Sequence, residues 1–255
     1  MKFLITNDDG YDGPGLAALY NALKPLGDVR VVAPAVCHSA KGHAVNTHAP
    51  LRIERRDVAP FGPIDILDSS PADCVRVGLR APGAEMPDFV VAGINTGANL
   101  GVDLFYSGTA AAAREAAILG VPSLAISRYM RPEFPVIWET LSLHVTRIVE
   151  QLISHHHRLP AGQFWNVNFP AVADEAHPQE IAFAPQSLLS HDIGFNVGKK
   201  NDADGPNVTV LEYAGDFRSR GKTDNCDVAV LFQQKITATP IDLCTTANHP
   251  FVAKS

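Results

Sequence analysis

Short apolar runs separated by helical stretches constrain this chain more than any other feature of it. "KFLIT" at residues 2–6 reads as a short, continuously apolar strand of the kind buried on both faces of a parallel sheet. "GPGLAALYNALKPLG" follows, with Leu16, Leu19, Leu23 and Leu26 at helical spacing and Gly27 as the stop. "DVRVVAP" is the next strand, and strand, helix and strand at this spacing make a βαβ unit. The pattern recurs in the strand "DFVVAGIN", the alanine-rich helix "SGTAAAAREAAILG" and the strand "VPSLAIS". A long amphipathic helix within "PVIWETLSLHVTRIVEQLISHHH" and the strand "FWNVNFP" extend it. Such alternation predicts a doubly wound, mainly parallel α/β sheet, whose ligand site lies beyond the carboxyl ends of its strands.

From about Pro185 to Asp224 the chain is rich in Gly, Asn and Asp, and "NVTVLEY" is the one good strand there. We expect a projecting β-hairpin arm at 185–224, which exposes sheet edges and is better paired with a partner subunit than left in water. "CDVAVLFQQKITATPID" brings the chain back as a short helical turn and a strand. No internal repeat or flexible linker divides it, so one domain over 1–255 is expected. Its core would span about 1–184 and 225–243, with a C-terminal extension at 244–255.

At 255 residues and 46% hydrophobic, the chain can bury one large core. A formal charge of −6 argues against binding a nucleic-acid backbone. No run of about eighteen apolar residues is present, so no membrane span is expected. "MKFLITNDDG" reaches acids too early to be the apolar core of a signal peptide. Cys37, Cys74, Cys226 and Cys244 form no CxxC pair, which fits reduced thiols and a cytoplasmic location.

The predicted strand ends share a chemistry. Asn7, Asp8 and Asp9 follow the first strand, and Ser39 and His43 lie in the loop after the second. Asn95, Thr96, Gly97 and Asn99 follow "DFVVAGIN", while Ser107, Gly108 and Thr109 open the alanine-rich helix. The strand-end rule brings these segments to one crevice. Carboxylates, carboxamides and hydroxyls without a matching set of cysteines suit Mg²⁺ or Mn²⁺, and such an ion lets two adjacent aspartates stay ionised. The Ser-Gly-Thr turn offers hydroxyls and free N–H groups at a helix N-terminus, an anion site whose commonest occupant is phosphate. A metal beside a phosphate cradle points to phosphoryl transfer or phosphate-ester hydrolysis. No GxxxxGK[ST] loop is present, which excludes a P-loop NTPase.

Each element also has a structural reading. Asp-Asp-Gly can be only a turn, Ser107 only an N-cap, and Asn95 only a loop brace. His43 reads first as a loop histidine, and His155, His156 and His157 as a solvated helix end. Asp73 in "SSPADCVRVGL" is expected to cap the following helix, and Arg114 with Glu115 to form an exposed or interface pair.

"ITNDDG", "VVAP" followed by a loop containing Ser39, "SPADCV", "GINTGANLG", "YSGTAAAAREAAILGVPSLAIS" and "NVNFP" occur in this order. Together they resemble the SurE family, metal-dependent 5′/3′-nucleotidases. The match runs from Met1 to about Pro170 and resumes near "TDNCDVAVLFQQKITATPID". The resemblance implies a Rossmann-like core, an arm exchanged between subunits of a homodimer or homotetramer, and release of phosphate from nucleoside monophosphates. It implies one divalent ion per subunit on Asp8, Asp9, Ser39 and Asn95, with Ser107, Gly108 and Thr109 approaching phosphate. Asn7, His43, Gly97 and Asn99 are further substrate-binding candidates. Asp8, Asp9, Asn95 and Ser107 are the expected catalytic set. Bacterial members commonly carry an Arg-Ser-Gly-Ala-Ser type loop where this chain has "CHSAKGHAVN", and the helix here carries Arg114 and Ala116, so substrate preference is the property most open to change.

Three rivals stand beside the nucleotidase. One is a non-hydrolytic nucleotide- or metal-binding regulator, and another a phosphatase of this family shifted to short polyphosphate. A third is a zinc deacetylase with an Asp-Asp motif, for which His38 and His43 are the only nearby ligands.

Overall fold

The computed structural model describes residues 1–154, 159–173, 176–201, 205 and 207–243. The expected helix end at His155–His157, the tail 244–255 and Cys244 lie outside these residues.

Among the described residues, nine strands form one sheet in the order β3-β4-β2-β1-β5-β6-β7-β11-β8. The central strand β1 (Lys2–Thr6) runs parallel to β2 (Asp28–Pro34) on one side and to β5 (Phe89–Thr96) on the other. Beyond β5 lie β6 (Ser123–Arg128) and β7 (Gln163–Phe169), both parallel, then β11 (Ile236–Asp242), antiparallel to β7 and parallel to β8 (Ile181–Phe183). On the other side β4 (Gly62–Leu67) runs parallel to β2, and β3 (Ile53–Val58) closes that edge antiparallel to β4. The chain therefore leaves β1 toward β2 and later crosses back to place β5 beside it. That reversal puts a topological switch point at the carboxyl ends of β1 and β5.

Helices cover both faces, as the side-chain period of β1 requires. Phe3 and Ile5 point into a core shared with α1 (Pro14–Leu23) and α4 (Trp138–Ile153), through Leu16, Leu19, Val145 and Val149. Leu4 points the other way, into a core with Val75 and Leu79 of α2 (Pro71–Arg80) and Ala112 and Ala116 of α3 (Gly108–Ile118). Ala110 to Ala113 are fully buried, and side chains this small let α3 lie close on the sheet. Gly15 serves the same end in α1, since a Cβ there would sit 1.9 Å from the Ile94 carbonyl oxygen of β5.

Several boundaries differ from the sequence reading. Helix α1 ends at Leu23, four residues before Gly27, because Pro25 disfavours continuing the turn. The β3–β4 pair has no apolar signature in β3, whose residues Ile53–Asp57 are all exposed on an edge. Ser70, rather than Asp73, caps α2: its hydroxyl accepts the Asp73 N–H at 3.1 Å. In the 185–224 segment only Leu211–Tyr213 (β10) of the expected long strand is regular, paired antiparallel with Phe195–Val197 (β9) in a separate two-stranded sheet. All six residues of that pair are exposed. The short helix α5 (Asp227–Phe232) then leads into β11. Among the described residues, no helix is long and apolar enough to cross a membrane.

Candidate active site

Asp8 and Asp9 leave the end of β1, and Asn95 and Thr96 end β5, so the switch point delivers four polar residues from two neighbouring strands. The loop after β2 closes over them: the His38 N–H donates to the Asp8 carbonyl at 2.7 Å, and the Gly42 N–H to the Tyr106 carbonyl at 2.9 Å. Between these anchors lies the exposed Ser39. A 3₁₀ helix, Gly101–Phe105, brings the chain back to Ser107 at the N-terminus of α3. The result is an open crevice of about 290 Å³, lined by Asp8, Ser39, Asn95, Thr96, Asn99 and Ser107 among others.

Asp8 is only 4% exposed. Burial pushes its carboxyl above the usual range, the Thr109 hydroxyl bond opposes that, and the Asp9 charge adds to it. Thr109 Oγ1 donates to Asp8 Oδ1 at 2.5 Å across 101 residues of sequence. Asp9 is held differently: both its oxygens take the Thr96 hydroxyl at 3.2 Å, and Oδ2 takes the Thr96 N–H at 3.3 Å. No Lys, Arg or His pairs with either carboxylate among the described residues. Like charges on adjacent residues repel, so an ionised Asp8–Asp9 pair favours a cation beside it.

The donor set fits a hard divalent cation. Asn95 donates Nδ2 to the Gly97 carbonyl at 2.7 Å, which leaves its Oδ1 as a ligand atom. Ser39 Oγ lies 3.0 Å from Cys37 Sγ and keeps lone pairs on an exposed loop. Among the described residues no three His, Cys, Asp or Glu side chains gather as a metal centre, so any ion here rests on two carboxylates with amide and hydroxyl oxygens. Oxygen donors of this kind fit a hard divalent cation. Gly108 is required by the same crowding: a Cβ there would meet Asp8 Cβ at 2.7 Å and Oδ2 at 3.0 Å.

Other candidates take different places. Ser107 caps α3, its Oγ accepting the Ala110 N–H at 3.0 Å, and it lines the crevice. Thr109 is fully buried and its hydroxyl donates to Asp8 Oδ1, so its side chain holds that carboxylate. Asn7 is also fully buried and donates Nδ2 to the Gly10 carbonyl at 2.7 Å, bracing the Asp-Asp turn. Asn99 lines the crevice but donates Nδ2 to Ser127 Oγ at 2.9 Å, which ties it to a buried polar layer. Gly97 donates its N–H to the Asn95 and Arg128 carbonyls and shapes the turn.

His43 is anchored rather than free. Its Nε2 lies 2.8 Å from Glu115 Oε2, and Arg76 Nε lies 3.6 Å from Glu115 Oε1. Glu115 is therefore no exposed partner of Arg114: it is 8% exposed and belongs to this cluster. Arg114 instead donates to the Leu104 carbonyl at 2.9 Å, with its guanidinium 5.8 Å from the Phe164 ring. Asp73 extends the clamp, accepting the Asn46 N–H at 2.9 Å and the Ser69 hydroxyl at 2.6 Å. Sequence reasoning missed Asp103 as part of the crevice wall and the burial of Glu115 beside His43. Asp103 lines the crevice and takes Arg220 at 2.6 and 3.2 Å. Its only sequence signal is an acid in the short stretch before the Ser-Gly-Thr turn.

Comparison with known proteins agrees with this architecture. The family described as Survival protein SurE matches residues 3–191. The 5′-nucleotidase SurE 1 of Thermus thermophilus is 45% identical over 252 residues, covering 97% of this chain and 94% of that protein. The 5′-nucleotidase SurE of Brucella canis is 35% identical over 257 residues, with the same two coverages. The crystal structure of the SurE protein from Aquifex aeolicus superposes with a TM-score of 0.78 at 32% identity, covering 96% of this chain and 95% of that one. With a match that begins in β1 and runs through the crevice loops into the arm, this chain belongs to the SurE family.

Proposed function

We propose that this chain is a divalent-metal-dependent phosphohydrolase that releases inorganic phosphate from nucleoside 5′- and 3′-monophosphates. The observation that carries the reading is the uncompensated Asp8–Asp9 pair, set at one switch point beside Asn95 and the Ser107 N-cap of α3. The names of the Thermus and Brucella relatives supply the substrate class.

Asp8, Asp9, Ser39 and Asn95 would hold the ion, which when bound polarises phosphoryl oxygens and lowers the pKa of water. The remaining work falls to side chains. Thr109 and Thr96 fix the two carboxylates, so no reorganisation is needed when substrate arrives. Ser107 donates its hydroxyl to a phosphoryl oxygen at the positive end of α3. Asp9 orients the attacking water and accepts its proton; the water oxygen joins phosphorus as the ester P–O bond opposite it breaks, the nucleoside oxygen takes a proton from solvent water as it leaves, and Asp9 returns its proton to solvent. Assembly into a homodimer or homotetramer through the arm accompanies this reading, supported by the exposed apolar side chains Leu188, Phe195, Val197, Leu211 and Tyr213.

The test is phosphate release from a panel of nucleoside 5′- and 3′-monophosphates and short polyphosphate, after EDTA treatment and again with Mg²⁺ or Mn²⁺. Metal-restored release from nucleotides is expected. Tight, stoichiometric nucleotide binding without any release would replace the enzyme with a regulator, and release only from polyphosphate would shift the substrate.

A further inference from the structure

Tyr106 is an aromatic residue on the crevice wall that folding does not explain. It immediately precedes Ser107, lines the crevice, and is 54% exposed. Its neighbour Phe105 is exposed as well but does not line the crevice. The Tyr106 backbone is fixed at both polar groups: its N–H donates to the Asp103 carbonyl at 2.9 Å, and its carbonyl accepts from Gly42 at 2.9 Å. The Ser107 N–H shares that Asp103 carbonyl, so the aromatic ring and the candidate phosphate hydroxyl hang from one anchor. Asp103 is itself pinned by Arg220 at 2.6 and 3.2 Å and lies 2.7 Å from His191 Nε2. The only ring near Tyr106 among the described residues is His191, tilted and 6.1 Å away. Phe217, the other aromatic residue of the crevice, has Tyr129 stacked on it at 5.3 Å and Arg220 at 3.7 Å from its ring centre. Tyr106 is thus the crevice aromatic whose ring is least covered.

We propose that Tyr106 is a specificity-determining residue that stacks against the nucleobase of the substrate while Ser107 binds its phosphate. The proposal rests on the phosphohydrolase reading and adds to it the discrimination between nucleotides and bare sugar phosphates. Stacking tolerates any base, so the residue selects for a base without choosing among bases. A platform with a fixed backbone loses little freedom on binding, which favours an exposed rigid aromatic at this position.

The experiment compares AMP with ribose 5-phosphate, which lacks the base, on the full chain and on Tyr106→Ala and Tyr106→Trp. Both KM for phosphate release and the calorimetric Kd are read. For Tyr106→Ala we expect KM and Kd for AMP to rise about tenfold with kcat little changed, and those for ribose 5-phosphate to stay within about twofold. Tyr106→Trp should keep the AMP values near those of the parent chain. Equal weakening of both ligands in Tyr106→Ala, or no weakening of AMP, would overturn the proposal. If the parent chain releases phosphate from neither compound yet loses its preference for AMP binding in Tyr106→Ala, the stacking role stands and the phosphohydrolase reading fails. Binding of neither compound by the parent chain overturns both.

Discussion

Two hydroxyls decide what the paired aspartates can do. Thr109 and Thr96 each give a donor to one carboxylate, and among the described residues neither carboxylate has a cationic side chain against it. Replacing Thr109 with Val keeps the shape and removes the donor. Loss of such an outer partner costs roughly 10- to 100-fold in metal affinity or activity. Calorimetric titration of Thr109→Val with Mn²⁺ should therefore give a Kd raised by that order, with the fold retained; an unchanged Kd would detach Thr109 from the site. Asp8, Asp9, Asn95 and Ser107 were legible as residues at strand and helix ends, since the rule for parallel sheets needs only local pattern. The roles of Thr109, Asn7 and Glu115 were not. Each is set by a contact or a depth of burial that appears only when distant segments meet, as in the 72 residues between His43 and Glu115.

Elements position these residues through close approach. Helix α1 lies against β5 only because Gly15 carries no side chain, and α3 reaches Asp8 only because Gly108 carries none. Gly15→Ala forces backbone apart in a packed layer, for which about 3 kcal/mol of destabilisation is expected from urea unfolding. Gly108→Ala should leave stability closer to that of the parent and lower phosphate release instead, since its Cβ meets the Asp8 side chain rather than a carbonyl. Equal effects of the two changes in both assays would contradict this division. The strands and helices of the sheet were readable because buried parallel strands are apolar runs and covering helices repeat every 3.6 residues. Strand β3 escaped that logic: it is an exposed edge strand of sequence "IERRDV", held by backbone pairing to β4 rather than by burial.

At the scale of the molecule, metal and assembly both bear on stability. An ion bound only by the folded chain at a hundred times its Kd adds about 2.7 kcal/mol, which for a chain of this length is roughly 5–10 °C in Tm. Thermal scans before and after EDTA treatment should differ by that amount, and no difference would argue against a loaded site. The arm exposes Phe195 and Leu211 on a two-stranded sheet of its own. Phe195→Glu combined with Leu211→Glu should shift the sedimenting species to lower mass if those faces meet in an oligomer; an unchanged mass would send the interface elsewhere. The central claim, that the β1–β5 crevice is a metal-dependent phosphohydrolase site, is tested most directly by titrating Mn²⁺ into metal-stripped protein and reading phosphate release from AMP, for the parent chain beside Asp9→Asn. The account predicts saturable restoration in the parent and a loss of roughly 10²- to 10⁴-fold in the folded variant, the range for removing a general base. Full release by the stripped parent, or by Asp9→Asn, would contradict it.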